Sequence, residues 1–173
     1  MLNYASIIGQ IQSVAGTLFP FVGYAVTPQQ INYLSSNPAL PAVFVSPEGG
    51  SAEASDIQSS GNIRQWHEER FCAVVLWEND GDLLGQAAMD NVGPFQQLLR
   101  SALVNWRPFP LIRTPYGVEE RDSGLFIFNN GALTGWIFKY SVKYRIHSSD
   151  CYQAPIIVNT GSITVALNIQ EQG

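Results

Sequence analysis

The side chains best suited to chemistry in this sequence are His67, Glu68 and Glu69, with Cys72, Asp80, Asp82, Asp90, His147 and Cys151 scattered after them. An imidazole beside carboxylates invites a metal-binding or acid–base reading, since histidine and ionised acids supply both ligands and proton carriers. Along a strand, however, side chains alternate, so His67 and Glu69 share a face while Glu68 points away. The one other imidazole is His147, far off in sequence. Cys72 and Cys151 form neither a disulfide framework nor a zinc pattern, and two free thiols in a reducing compartment are expected. Asp80, Asp82 and Asp90 read as turn and cap residues, too sparse for a calcium loop. Glycines 81, 85 and 93 miss dinucleotide and phosphate-loop spacing, and no serine sits in a nucleophile elbow. The residues therefore predict a non-enzymatic protein with no cofactor and no metal. A small-ligand-binding or hydrolytic domain using His67 and Glu69 is the alternative from a different class.

The composition narrows the field further. The 173 residues fit one domain with length enough for a core. Charged residues make up 13%, about half the usual share of roughly 25%. So few charges imply either much neutral polar surface or surface hidden against partners, and multi-subunit assembly accounts for the second. A net charge of −5 argues against a protein built mainly to bind nucleic acid. No apolar run approaches the roughly 20 residues of a membrane helix, and no Lys or Arg precedes the N-terminal apolar residues as in a secretory signal. Synthesis in the cytosol, away from membranes, is the expectation.

The elements that must position any site are clearest between Arg70 and Pro108. Phe71, Ala73, Val75 and Trp77 alternate with Cys72, Val74 and Leu76, so this strand is apolar on both faces and belongs inside a sheet covered on both sides. After the turn at 78–82, Ala88, Val92, Phe95, Leu99, Ala102/Leu103 and Trp106 form one apolar helical stripe. Pro94 fits a helix that starts at Asp90 or Asn91, leaving Leu83–Met89 as a separate turn. Upstream, residues 3–19 place Ile7, Ile8, Ile11, Val14, Ala15 and Leu18 on one face of a charge-free helix, lying in a groove of its own domain or against a neighbouring subunit. The first charged side chain of the chain is Glu48. A strand over 21–26, a short helix over 29–34 opened by Thr27-Pro28, and a strand over 42–46 follow.

The segment 47–62, PEGGSAEASDIQSSGN, reads as a long exposed loop that orders on assembly, with Glu48, Glu53 and Asp56 as its charged contacts. Residues 63–78 read as one long strand whose polar first half extends past the sheet edge. Strand candidates at 118–121 and 125–128 lead through the turn-rich 129–135 to the cleanest alternation in the chain. Trp136, Phe138, Tyr140, Val142, Tyr144 and Ile146 face one way; Ile137, Lys139, Ser141, Lys143 and Arg145 face the other. Lys139, Lys143 and Arg145 make a basic strip, suited either to a polyanion or acidic partner or simply to an exposed strand face that resists edge pairing. Residues 148–155 read as a linker, and two short β runs around 159–162 close the chain, pairing with their own domain's edge or with a neighbour. The fold expected is α/β (α+β): a single domain whose mixed, mostly antiparallel central sheet is covered by an amphipathic helix, with an N-terminal helix and a C-terminal β extension. The domain spans 1–147 and the extension or arm 148–173.

This order of elements, AVFVS, a loop, RFCAVVLWENDGD, a helix ending LLRSALVNWRPFP, then a hairpin with a W-x-F-x-Y strand, resembles the tail terminator (tail completion) proteins of long-tailed bacteriophages over roughly residues 25–147. Its most distinctive piece is SALVNWRP at 101–108, where Asn105 stands at a position often held by Gly in the family; Asn is the next best left-handed helix cap. Phe71, Val75, Trp77, Leu99, Trp106 and Pro108 are the core and family-marker residues. The resemblance implies a virion structural protein made in the host cytoplasm and located at the head-proximal neck of the tail. It implies a homo-oligomeric ring, commonly a hexamer, that caps the tail tube protein, stops its polymerisation, and offers the surface to which the head-completion or neck protein attaches. DNA passing through the lumen is a transient contact, and the basic strip then meets DNA or an adjacent subunit. Another head–tail connector or head-completion ring is the alternative within the same class.

Overall fold

Burial of the strand Phe71–Trp77 on both faces dictates the layers. A computed structural model describes residues 2–33, 38–54, 56–57, 63–78, 89–109, 114, 116–126, 133–147, 156–160 and 163–167. In chain order the elements are α1 (Tyr4–Ala15), β1 (Phe21–Tyr24), a 3-10 helix (Pro28–Tyr33), β2 (Ala42–Ala52), β3 (Asp56–Ile57), β4 (Ile63–Glu78), α2 (Val92–Leu103), β5 (Val118–Phe126), β6 (Leu133–Ile146), β7 (Ile156–Thr160) and β8 (Ile163–Leu167). The main sheet runs β1-β2-β4-β6-β5, with β3 also on β4; β1 and β2 are parallel and the other pairs antiparallel. β7 and β8 form a separate two-stranded sheet. The fold is the expected α+β domain with a mixed, mostly antiparallel sheet.

The two alternating sets of β4 enter two different cores. Phe71, Ala73, Val75 and Trp77 pack with Val43, Val45, Phe138, Tyr140 and Val142 beneath both helices, α1 contributing Ile7, Ile11 and Ala15 and α2 contributing Leu99, Ala102 and Leu103. Cys72, Val74 and Leu76 join Phe44 and Ala42 on the opposite face, under Ala25, Ile31 and Leu40. Each fully buried apolar side chain of this size is worth about 1.5–3 kcal/mol, so β4 and its neighbours dominate the stability. Burial pushes the Cys72 thiol up to about 12, which leaves it protonated and inert.

α1 settles on its own domain, with Gln10 Nε2 donating to the Ala102 carbonyl at 3.0 Å and Asn3 capping Ala5 N–H through its side chain. It is shorter than the apolar stripe suggested: Val14 and Leu18 stay exposed at 45% and 53%. Asn91 takes the cap position of α2, in helical geometry and without a side-chain cap bond. Three expectations need correction. Residues 47–52 are not loop but the second half of β2, recruited by pairing with β4 from Arg70 back to His67. The polar half of β4 does not overhang either, since β6 pairs with it down to Gln65. Likewise 118–121 and 125–126 belong to one continuous strand, β5. The remainder of the 47–62 segment (Ser55 and 58–62), the turn at 79–82, residues 83–88, the connection 127–132, and the linker 148–155 with Cys151 lie outside the described residues.

α2 ends in a tight crossing. Asn105 adopts φ 63°, the left-handed conformation expected of the helix-terminating residue. Its N–H donates to the Val118 carbonyl at 2.9 Å, and Val118 N–H donates to the Trp106 carbonyl at 2.8 Å. Gly117, at φ 72°, lies so close that a Cβ there would stand 2.9 Å from the Asn105 backbone. The chain turn after α2 is therefore pinned to the start of β5 by two backbone bonds that only a glycine at 117 permits. Gly117→Ala should cost about 2 kcal/mol and Asn105→Val about 1–2 kcal/mol, while Asn105→Gly stays within about 0.5 kcal/mol; urea unfolding of the three variants measures this order.

Candidate interaction surface

The candidate site residues distribute over both faces of the β4–β6 ladder. On the face away from the helices, the register sets Trp66 opposite Arg145, Glu68 opposite Lys143, Arg70 opposite Ser141 and Cys72 opposite Lys139. Two bulges deliver further charges to this face. Glu48 is the extra residue between Pro47 and Gly49, the latter at φ 88°, and its carboxylate lies 3.5 Å from Lys139 Nζ. Arg121 is the extra residue between Glu120 and Asp122, and its guanidinium lies 3.6 Å from Glu68, which Arg70 also contacts at 3.1 Å. Bulges commonly re-aim a side chain in this way. Glu53, one residue past β2, pairs with Lys143, whose ammonium pKa is raised chiefly by that hydrogen bond. The Arg145 guanidinium sits 4.6 Å from the Trp66 ring centre, a cation–π arrangement.

The structure thus brings Lys139 and Lys143 together with Glu48 and Glu53, residues expected to belong to two separate features. The strip is a mixed-charge surface in which both lysines are paired within the chain and Arg145 lies over Trp66. Asp56 lies in β3 opposite Arg64. Burial raises the Glu68 pKa, but hydrogen bonds from Arg70 and Ser141 and the charges of Arg70 and Arg121 outweigh it, leaving the net shift downward. On the helix face Glu120 behaves alike: burial is outweighed by hydrogen bonds from Arg100 and Gln96. Arg70, Arg121 and Trp66 were not singled out by sequence, and Glu68 was singled out for its neighbours His67 and Glu69 rather than for this face. The broken alternation in E-E-R-D and the paired glycines of P-E-G-G are the signals of the two bulges.

His67 and Glu69 lie on the helix face, as their spacing implies, but the carboxylate is engaged. Glu69 Oε2 accepts from Leu2 N–H at 2.6 Å and Oε1 from the Tyr144 hydroxyl at 2.8 Å. Leu2 lies at the start of α1, where the helix dipole favours a negative charge. His67 Nε2 stands 3.8 Å from the same carboxylate, and its ring tilts against Tyr144 at 5.2 Å. Glu69 therefore clamps the N-terminal segment onto the sheet, and Tyr4 beside it is pushed up to about 12 by burial and by the Glu69 charge. This is not the solvated strand face expected of these residues, for both are half-buried. Among the described residues no cluster of His, Cys, Asp or Glu has metal-binding geometry, and no helix is long and apolar enough to cross a membrane. Of the marker residues, Phe71, Val75, Trp77 and Leu99 are buried, while Trp106 and Pro108 are half-buried at the end of α2.

On this sheet the lysines of the charged face pair within the chain, and the Glu69 carboxylate is engaged as a structural clamp. The family model described as phage tail terminator protein matches residues 1–150, and the chain belongs to that family, whose members are structural components of the virion tail. No protein of curated function matches its sequence. Among solved structures, a chain from the virion of a native gene transfer agent particle is similar at 14% identity and a TM-score of 0.42, over 83% of this chain and 95% of that one.

Glu69→Ala should cost about 2 kcal/mol by removing a charged acceptor from two donors, and His67→Ala less than about 1 kcal/mol; denaturant titration distinguishes them, and a larger loss at His67 contradicts the clamp. Glu68 and Glu120 have folded pKa values lowered from 4.5, so their contribution is complete above that pH and disappears as pH falls through the lowered values. The melting temperature should drop on acidification below pH 4.5, and Glu68→Gln should make that drop shallower.

Proposed function

We propose that this protein is a tail terminator that assembles into a ring of six subunits. The ring caps the tail tube at its head-proximal end, stops polymerisation of the tube protein and presents the surface that receives the head-completion or neck protein. The observation that carries the reading is family membership across residues 1–150. Surface chemistry supports it: Val14, Leu18, Phe21, Tyr24 and Val26 are exposed in a stretch of chain without a charged residue before Glu48, as suits a face buried between subunits. The protein acts without catalysis, the Glu69 carboxylate being spent on Leu2 and Tyr144. The basic strip enters this reading as a contact to an adjacent subunit rather than to DNA, because Lys139 and Lys143 already face Glu48 and Glu53 and a neutralised face attracts phosphate weakly. Residues 148–173 serve as the arm and 1–147 as the body.

Mixing the purified protein with tail tube subunits and imaging the products tests the reading. Short capped tubes with a ring at one end are expected, together with a discrete oligomer mass for the protein alone or on tubes. A chain that stays monomeric at high concentration and leaves tube growth unchanged contradicts it. Lys139→Glu with Lys143→Glu should preserve the melting curve to within about 1 kcal/mol, since exposed pairs contribute little, yet reduce ring formation.

A further inference from the structure

The sheet has two edges of opposite character. β5 presents Glu119, Arg121 and Asp122 and carries a bulge, the usual protection of an edge against unwanted pairing. β1 has none of these. Among the described residues it pairs with β2 on one side alone, and Phe21 and Tyr24 stand 37% and 48% exposed. Two grooves adjoin it, sharing Tyr4 and Tyr24: an apolar one of about 560 Å³ continues over Leu2, Ala5 and Ile8, and one of about 430 Å³ runs over Pro47, Gly49 and Gly50 to His67 and the Glu69 carboxylate, which is already held by Leu2 N–H and the Tyr144 hydroxyl. Edge and grooves together form a template for one more strand or hairpin.

The C-terminal hairpin is the complementary part. Among the described residues, β7 and β8 pair only with each other, Val158 opposite Val165 and Ile156 opposite Leu167. In that register Ile156, Val158, Ile163, Val165 and Leu167 fall at alternate positions of the two strands. A lone two-stranded hairpin is marginal in water and needs a third strand or a packing surface. Residues 151–170 contain no Asp, Glu, Lys or Arg, and neither does the first stretch of the chain up to Pro47. The two longest uncharged segments of the sequence can therefore bury each other with little desolvation of charge, the Glu69 carboxylate at the groove's end being already hydrogen-bonded.

Reach decides which copy supplies the edge. Tyr24 lies level with Phe138 through Val45 and Ala73, eight residues short of Ile146, about 27 Å along the strand at 3.4 Å per residue. A strand added outside β1 lies four spacings from β6, about 19 Å laterally. The straight path from Ile146 to a chain's own outer edge is therefore about 33 Å. The residues between Ile146 and Ile156 span at most about 33–36 Å at full extension, so the hairpin meets its own edge only if the connection is taut. A neighbour's edge imposes no such demand.

We propose that hairpin β7–β8 of one copy adds to the free edge strand β1 of the next copy, extending its sheet and burying the Tyr4–Tyr24 grooves. This contact is heterologous, one surface of each subunit meeting a different surface of the next, which is the geometry that closes into a ring. It rests on the ring reading and names its joint.

The test uses full-length chains with Cys151→Ser, the buried Cys72 retained. A Tyr24→Cys chain mixed with a Val165→Cys chain and treated with a short bis-maleimide should yield cross-links between the two different chains. Cross-linking within single chains carrying both substitutions, with none between chains, overturns the proposal in favour of the chain's own edge; no cross-link at all also overturns it. Separately, Tyr24→Lys and Val165→Lys should each convert the oligomer to single subunits by sedimentation, with the melting curve retained. An unchanged oligomer mass in both overturns the hairpin joint and leaves the ring standing, whereas an unsubstituted chain that never exceeds monomer mass, with or without tubes, overturns both.

Discussion

Everything in this fold depends on one strand being buried from both sides. From Phe71 to Trp77 β4 exposes no more than 4% of any side chain, so it must have a strand on either edge and a cover on either face. β2 and β6 supply the edges, α1 and α2 one cover, and the 3-10 helix with Leu40 the other. The same strand continues beyond Arg70 into a half where the hydrophobic requirement lapses. There the face turned from the helices becomes the charged ladder, and the face turned toward them holds the Glu69 clamp. Burial at about 1.5–3 kcal/mol per apolar side chain outweighs exposed ion pairs at no more than about 1 kcal/mol each. The apolar half therefore sets the fold, and the charged half can vary in contact chemistry without endangering it.

Much of this was legible in the residues. The bounds of β4, the two-faced alternation of β6 and the helical stripe of α2 follow from periodicity alone, whereas the left-handed Asn105 came with the family resemblance, in which Gly often holds that position. What was not legible has a common cause: it depends on partners distant in sequence. Residues 47–52 are small and polar and have poor strand propensity on their own, yet pairing with β4 makes them strand, tertiary context overriding local preference. Glu69 looks solvated until the N-terminal segment, 67 residues earlier, folds back to donate to it. The two bulges break the period-two rule at Glu48 and Arg121, so strict alternation cannot say where those side chains point.

Membership in the phage tail terminator family gives these features a shared purpose. A subunit that works by fitting between others needs a rigid centre and adaptable margins. Here the rigid centre is apolar and the lysines of the charged face are paired within the chain. The two longest uncharged stretches, the first up to Pro47 and the second over 151–170, lie at opposite ends of the sequence. A charge fraction of 13%, odd for an isolated globule, is ordinary for a subunit whose margins are covered on assembly.

Amide hydrogen exchange, compared between the free subunit and the assembled state, tests this division most directly. The account predicts that new protection concentrates on Phe21–Tyr24 and Ile156–Leu167, while Phe71–Trp77 is already fully protected in the free subunit and does not change. Protection gained mainly along β4 and β6, with the chain's uncharged stretches exchanging as fast in the assembly as outside it, would contradict the claim that the core supports and the margins assemble.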